Sequence, residues 1–286
     1  MSALAQTPEI ATVETPSGKA RGGENFPVGS WLIRRDLRQH VHAFYRFARN
    51  ADDIADNPEL APDDKLRRLD RMAEILAGAP GADSPAALTM RASLAETGTT
   101  AEHCHDLLKA FRLDAVKSRY RDWDDLMGYC RYSAAPVGRQ LLDLHGEARE
   151  TWPPSDALCA ALQVLNHLQD CAADYRAMDR IYIPLDALEA VGLTVEALAA
   201  PAASAALRQA LDALLDRTEA LIVKARELPG RVEARGLRWE SAVIVALAGR
   251  LTQRLRRGDP LVSRVKLTGR DFATSFLIGV FARHRR

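Results

Sequence analysis

The chain has 286 residues, 47% of them hydrophobic, with 39 basic against 38 acidic side chains. That balance leaves no basic excess to neutralise phosphates, so no nucleic-acid partner is expected. The length could hold two average domains, although helical folds of this size often form one. No apolar run reaches the roughly 20 residues needed to span a bilayer.

Residues 1–23 are rich in Thr, Pro and Gly and lack the apolar core of a signal peptide. They are expected to form a mobile tail ahead of one domain at 24–286. Nearly everything after residue 25 reads as helix. The periodic segment 37–56 stops at Asn57-Pro58, and 62–78 opens with Pro and acidic residues and closes with Gly. Further helical stretches are expected near 85–97, 101–114, 122–145, 155–175, 202–228, 239–257 and 268–284. The breaks are "AGAPGADSP", "GEARETWPPS" and "GLTVEALAAPAA", and "RIYIPLD" is expected to be a short extended piece. The reading is an all-α, single-domain helical bundle.

Cys104, Cys130, Cys159 and Cys171 are widely spaced with no C-x-x-C pair. They read as reduced core residues of a cytoplasmic protein. The run "HCH" at 103–105 points its side chains in different directions around a helix, which disfavours a metal site there. The Arg-rich C-terminus could touch the anionic inner face of a membrane as a peripheral protein, but a solvated helix is the favoured reading.

The stretch "NADDIAD" at 50–56 puts three aspartates in five residues at the end of an aromatic-rich helix. At about 100° per residue, Tyr45, Arg49, Asp52 and Asp56 share an arc of about 60°, with Asp53 to one side. Carboxylates one turn apart destabilise a helix unless a cation sits between them. Arg49 could partly serve, and Mg²⁺ would serve better. Alone, the stretch fits a solvent-facing helix end beside Pro58 as well as it fits a site.

A second stripe changes that balance. In "CAALQVLNHLQDCAADY", Gln163, Asn166, Asp170 and Asp174 share an arc of about 80°. An ordinary solvated face would mix Lys, Arg and Glu, yet 151–175 contains none of them. Short oxygen-bearing side chains on consecutive turns suit hard cations. Two such faces opposed across a bundle could hold several Mg²⁺ ions around a diphosphate. Ionising an isoprenoid diphosphate then requires charge neutralisation at the mouth and an apolar, aromatic cavity below it. A helical bundle with a central cavity offers both.

From about residue 24 to 270 the sequence resembles the squalene/phytoene synthase family. "DDIAD" resembles its first aspartate-rich motif and "NHLQDCAAD" its second. "RYRDWDDLMGYCRYSAAPVG" resembles the signature between them, "ENFPVG" an N-terminal segment that approaches diphosphate, and "DRIYIPLDAL" the segment after the second motif. The resemblance implies an isoprenoid-synthase-type fold. It also implies that Asp52, Asp53, Asp56, Asn166, Asp170 and Asp174 bind Mg²⁺, with Gln163 lining the site. Phe26, Tyr45, Arg49 and Arg119 would contact the diphosphate, and Tyr129 would assist ionisation or proton movement. Gln169 stands where the second motif usually has Arg, and Asn25 where Ser is usual.

With these departures the chain looks most like the subgroup of bacterial hopanoid pathways. That likeness implies ionisation of presqualene diphosphate with water capture to hydroxysqualene, without NADPH, and association with other squalene-pathway enzymes. One rival is head-to-head condensation of two prenyl diphosphates to squalene or phytoene. Another is a non-catalytic helical scaffold, against which both intact aspartate stripes argue.

Overall fold

The computed structural model describes residues 12–16 and 33–281. Two apolar clusters build the core. One joins α1 (Arg38–Asp56), α2 (Pro62–Leu76), α3 (Pro85–Thr97) and α4 (Glu102–Val116) through Phe47, Ile54, Met72, Met90 and Leu107. Each such side chain contributes about 2 kcal/mol when fully buried. The other joins α5 (Trp123–Ser133), α6 (Ala135–Leu144), α7 (Trp152–Met178), the short α8 (Leu185–Glu189), α9 (Ala205–Ala225), α10 (Leu228–Arg231) and α11 (Arg235–Arg257). α12 (Gly269–Phe281) packs on α11. Among the described residues the extended pairing is a single parallel bridge, Arg119 to Ile181, within the piece expected to be extended.

α7 is the axis of the bundle, packed by α6, α9 and α11. Ala161, Val164, Leu165, Leu168 and Ala172 are buried, while Gln163, Asn166, Asp170 and Asp174 form a half-buried row. The helix begins at Trp152, three residues before the expected start, because Pro153 and Pro154 fall in its first turn. There a missing N–H costs no intrahelical bond. Proline has the opposite effect on the expected helix 122–145. That helix breaks at Ala134 (φ −120°, ψ −48°), where Pro136 restarts the chain as α6. Gly138 then lets α6 approach α7 closely, since a Cβ there would collide with Ser155 Oγ and Cys159 Sγ.

Five residues of the stretch expected to be a mobile tail, 12–16, instead lie against α2 and α3. Glu14 accepts hydrogen bonds from Ser84 Oγ (2.8 Å) and Ala86 N (2.7 Å), placing a carboxylate at the N-terminus of α3. Arg68 donates to the Val13 carbonyl (3.0 Å). Phe26, Asn25 and the rest of "ENFPVG" lie outside the described residues. Among the described residues no helix is long and apolar enough to cross a membrane.

Candidate active site

Six of the residues singled out in the sequence line one cavity of about 450 Å³: Tyr45, Arg49, Asp52, Tyr129, Gln163 and Asn166. Its remaining walls are mainly Phe, Leu, Val, Ile and Ala side chains from α1, α4, α6, α7, α10 and α11, with Ser133, Gln140, Ser155, Glu240 and Ser241 as further polar members. The helical periodicity that put the polar residues on single faces of α1 and α7 therefore turns both faces toward the same space.

At the charged end, arginines divide the carboxylates between them. Arg49 pairs with Asp52 (3.0 Å) and with Asp53 (2.7 Å). Asp53 is only 7% exposed and turned toward the core, so its carboxylate supports Arg49 from behind. Asp56 pairs with Arg180 (2.7 Å) and Asp170 with Arg264 through two bonds of 2.6 and 2.9 Å. The Gln169 amide donates to the Val265 carbonyl, tying α7 to the segment that carries Arg264. The cation that the second motif lacks at position 169 thus arrives from a distant loop. Arg119 is held by Asp179 at the end of α7 (2.6 Å) and does not line the cavity.

Behind this end lies a buried polar cluster. The Asp114 carboxylate accepts the Tyr129 hydroxyl (2.8 Å) and the Tyr182 hydroxyl (2.9 Å), and the Asp114 carbonyl accepts from Arg180 (2.9 Å). His167 stacks on Tyr182 with ring centroids 3.5 Å apart. Burial, with the nearby Arg180 charge, drives its pKa down to about 3, so the ring is neutral at pH 7. Asp114 and Arg180 were not found in the sequence as site residues. Each is a single charged residue on another element, with no spacing that marks it. Tyr182 and Arg180 lie in a segment that the family likeness covers, without a role assigned.

Opposing stripes leave an electrostatic trace. Burial, reinforced by Asp56 and opposed by Arg49, pushes Asp52 up to about 7. Burial, reinforced by Asp170 and Asp56 and opposed by Arg180, pushes Asp174 up to about 7. Asp114 rises to about 6, chiefly through burial, although Arg180 and both tyrosine hydroxyls favour its ionised form. Even with three arginine pairs, this end is short of positive charge. Hard oxygen donors that repel one another fit a divalent cation such as Mg²⁺. Among the described residues no three His, Cys, Asp or Glu side chains already converge on one point, so the carboxylates would regroup around an ion.

Two predictions follow from these contacts. Asp114→Asn should lower the unfolding free energy by about 1–3 kcal/mol, because one tyrosine hydroxyl loses its acceptor inside the core. Urea denaturation measures this, and turnover should fall roughly tenfold as Tyr129 and Tyr182 lose their common carboxylate anchor. The second concerns pH. A carboxyl whose folded pKa exceeds its unfolded value keeps extra protons when folded, so its contribution to stability falls as pH rises between about 4 and 7. Asp52→Asn should therefore gain in Tm relative to the parent on going from pH 5 to pH 8 in metal-free buffer. Added Mg²⁺ should raise the parent's Tm more at pH 8 than at pH 5, and a pH-independent difference would contradict the assignment.

Residues 19–271 match the family model described as squalene/phytoene synthase. The chain is 48% identical over 259 residues to a hydroxysqualene synthase of Rhodopseudomonas palustris, covering 91% of this chain and 88% of that one. It is 48% identical over 251 residues to a hydroxysqualene synthase of Zymomonas mobilis, covering 87% and 84%. The solved structure of squalene synthase HpnC from Alicyclobacillus acidocaldarius is 33% identical, with a TM-score of 0.71 over 80% of this chain and 87% of that one. A dehydrosqualene synthase in complex with a ligand, 22% identical, shares the fold with a TM-score of 0.76 over 88% of each chain. Asp52 of the first stripe and Gln163 and Asn166 of the second line one cavity, while Asp56, Asp170 and Asp174 lie outside its lining; with the family model matched over residues 19–271, this chain belongs to the squalene/phytoene synthase family.

Proposed function

We propose that the protein ionises presqualene diphosphate and that water captures the rearranged cation, giving hydroxysqualene, diphosphate and a proton. The observation that carries this reading is the polarity of one cavity, which has Arg49, Asp52, Gln163 and Asn166 among otherwise largely hydrocarbon walls. Near-full-length relatives named hydroxysqualene synthase support the choice of product.

Asp52, Asp56, Asn166, Asp170 and Asp174 would hold several Mg²⁺ ions, with Asp53 acting through Arg49. Bound there, the ions neutralise charge that develops on the leaving diphosphate. Arg49, Arg180 and Arg264, which those carboxylates hold in place, would then donate to phosphate oxygens, the ligand geometry that guanidinium suits best. Tyr129, fixed by Asp114, presents its ring to the cavity, where the negative face of an aromatic stabilises a cation. The apolar walls exclude all but the required water. Neither ionisation nor water capture is a reduction, so the reaction needs no NADPH. Head-to-head condensation of two prenyl diphosphates would use the same site and differs in the substrate that enters first.

Purified protein supplied with presqualene diphosphate and Mg²⁺, without NADPH, should yield hydroxysqualene. A C30 product from farnesyl diphosphate alone would favour the condensation reading. Asp52→Asn and Asp170→Asn should each abolish most Mg²⁺-dependent diphosphate release, and turnover surviving both would remove the metal assignment. A peripheral membrane contact would be carried by α12, where Phe272, Phe276 and Leu277 are exposed. Phe272→Ser with Phe276→Ser should lower cosedimentation with anionic vesicles, and unchanged binding would remove that surface.

A further inference from the structure

Among the polar groups of the cavity that neither the metal nor the diphosphate would use, two stand without a partner. Gln140, in the middle of α6, lines the cavity and is 1% exposed, and among the described residues neither Oε1 nor Nε2 has a hydrogen-bond partner. Ser133, at the end of α5, lines the same cavity, and its buried Oγ is also without a partner. An unmatched buried group keeps the full cost of its lost hydration, and folded proteins almost always match such groups.

The candidates for a matching group are few. A prenyl chain has no donor or acceptor. Diphosphate belongs with the cations near Arg49, and α6 meets α7 lower down, at Ser155 and Cys159. Cys159 is seven residues before Asn166, a drop of about 10 Å along the helix. Water remains, being small and able both to donate and to accept. An amide carbonyl can take one water hydrogen, while an amide N–H or the serine hydroxyl donates to its oxygen.

We propose that Gln140, assisted by Ser133, holds the water molecule that captures the carbocation. This rests on the alcohol-forming reading above. In the step, the C–O bond to diphosphate breaks with its electron pair leaving on diphosphate. The rearranged cation accepts a lone pair from the held water, forming a new C–O bond. The proton shed by that oxygen ends on the released diphosphate, the strongest base that ionisation generates. Nothing is oxidised or reduced. A neutral amide can orient the water by accepting one hydrogen and donating one. When no water is held, the cation instead loses a proton from a neighbouring carbon and becomes an alkene.

The test is product partition with presqualene diphosphate and Mg²⁺ in the parent, Gln140→Leu, Gln140→Met and Ser133→Ala. Alcohol formed per diphosphate released should fall roughly tenfold in both Gln140 variants, with C30 alkenes making up the difference. Ser133→Ala should shift the ratio in the same direction by less. The Tm of Gln140→Met should equal or exceed that of the parent, because an unmatched amide has been replaced by an apolar side chain of similar length. An unchanged alcohol fraction in any folded Gln140 variant overturns the proposal. So does loss of diphosphate release in a folded variant, since ionisation precedes capture. Should Gln140→Leu fail to fold, Gln140→Met and Ser133→Ala still decide. A parent that releases diphosphate yet makes no alcohol fails the functional reading itself, a result distinct from failure at Gln140.

Discussion

The Arg180 guanidinium is the contact on which the charged end depends. Only 8% exposed, it binds Asp56 at the end of α1 and the carbonyl of Asp114 at the end of α4. Its charge also acts on Asp174 across the cavity end. Two acidic helix faces cannot be brought together in a partly desolvated space without a cation between them. Arg180 supplies that charge in the absence of metal, and the backbone bond fixes it in place. Removing it would leave Asp56, Asp114 and Asp174 mutually repelling around a buried void.

The same logic extends along both stripes, where each motif carries carboxylates matched to an arginine from elsewhere. Arg49 lies one turn upstream on its own helix, Arg180 follows α7, and Arg264 precedes α12. The Arg264–Asp170 pair is the more exposed of these, so it is individually weak in water. On the proposed reading, such a pair suits a site that exchanges partners when ions and diphosphate bind. Burial is the first cause of the raised Asp52 and Asp174 carboxyls, and neighbouring carboxylates add to it against the arginines. Positive charge brought to this end would favour their ionised forms.

How much of this was legible in the sequence follows from whether the signal was local. The two stripes lie on single helices, so their 3.6-residue period shows which side chains share a face. The all-helical architecture and the extended piece at 180–186 were readable for the same reason. Asp53 illustrates the limit of counting angles: one position from the stripe, it turns into the core and supports Arg49. Pro153 and Pro136 show that one residue type can open a helix or interrupt one, depending on where the turn begins. Asp114, Arg264 and Gln140 had no local signature at all. Each becomes meaningful only once a different element is packed against it.

Position 169 shows how a departure in one motif is absorbed by the fold. An arginine there would project a charge from α7 itself. Gln169 is buried instead, and its amide holds the Val265 carbonyl. That bond brings the 259–268 segment over the second motif, close enough for Arg264 to grip Asp170 with both nitrogens. A cation carried by a connecting segment can leave its carboxylate by moving backbone, whereas one carried by the helix could move only its side chain. Gln169 thus goes with a positive charge at Asp170 that comes from a connecting segment. On the proposed reading, metal can claim Asp170 by moving that segment rather than the bundle.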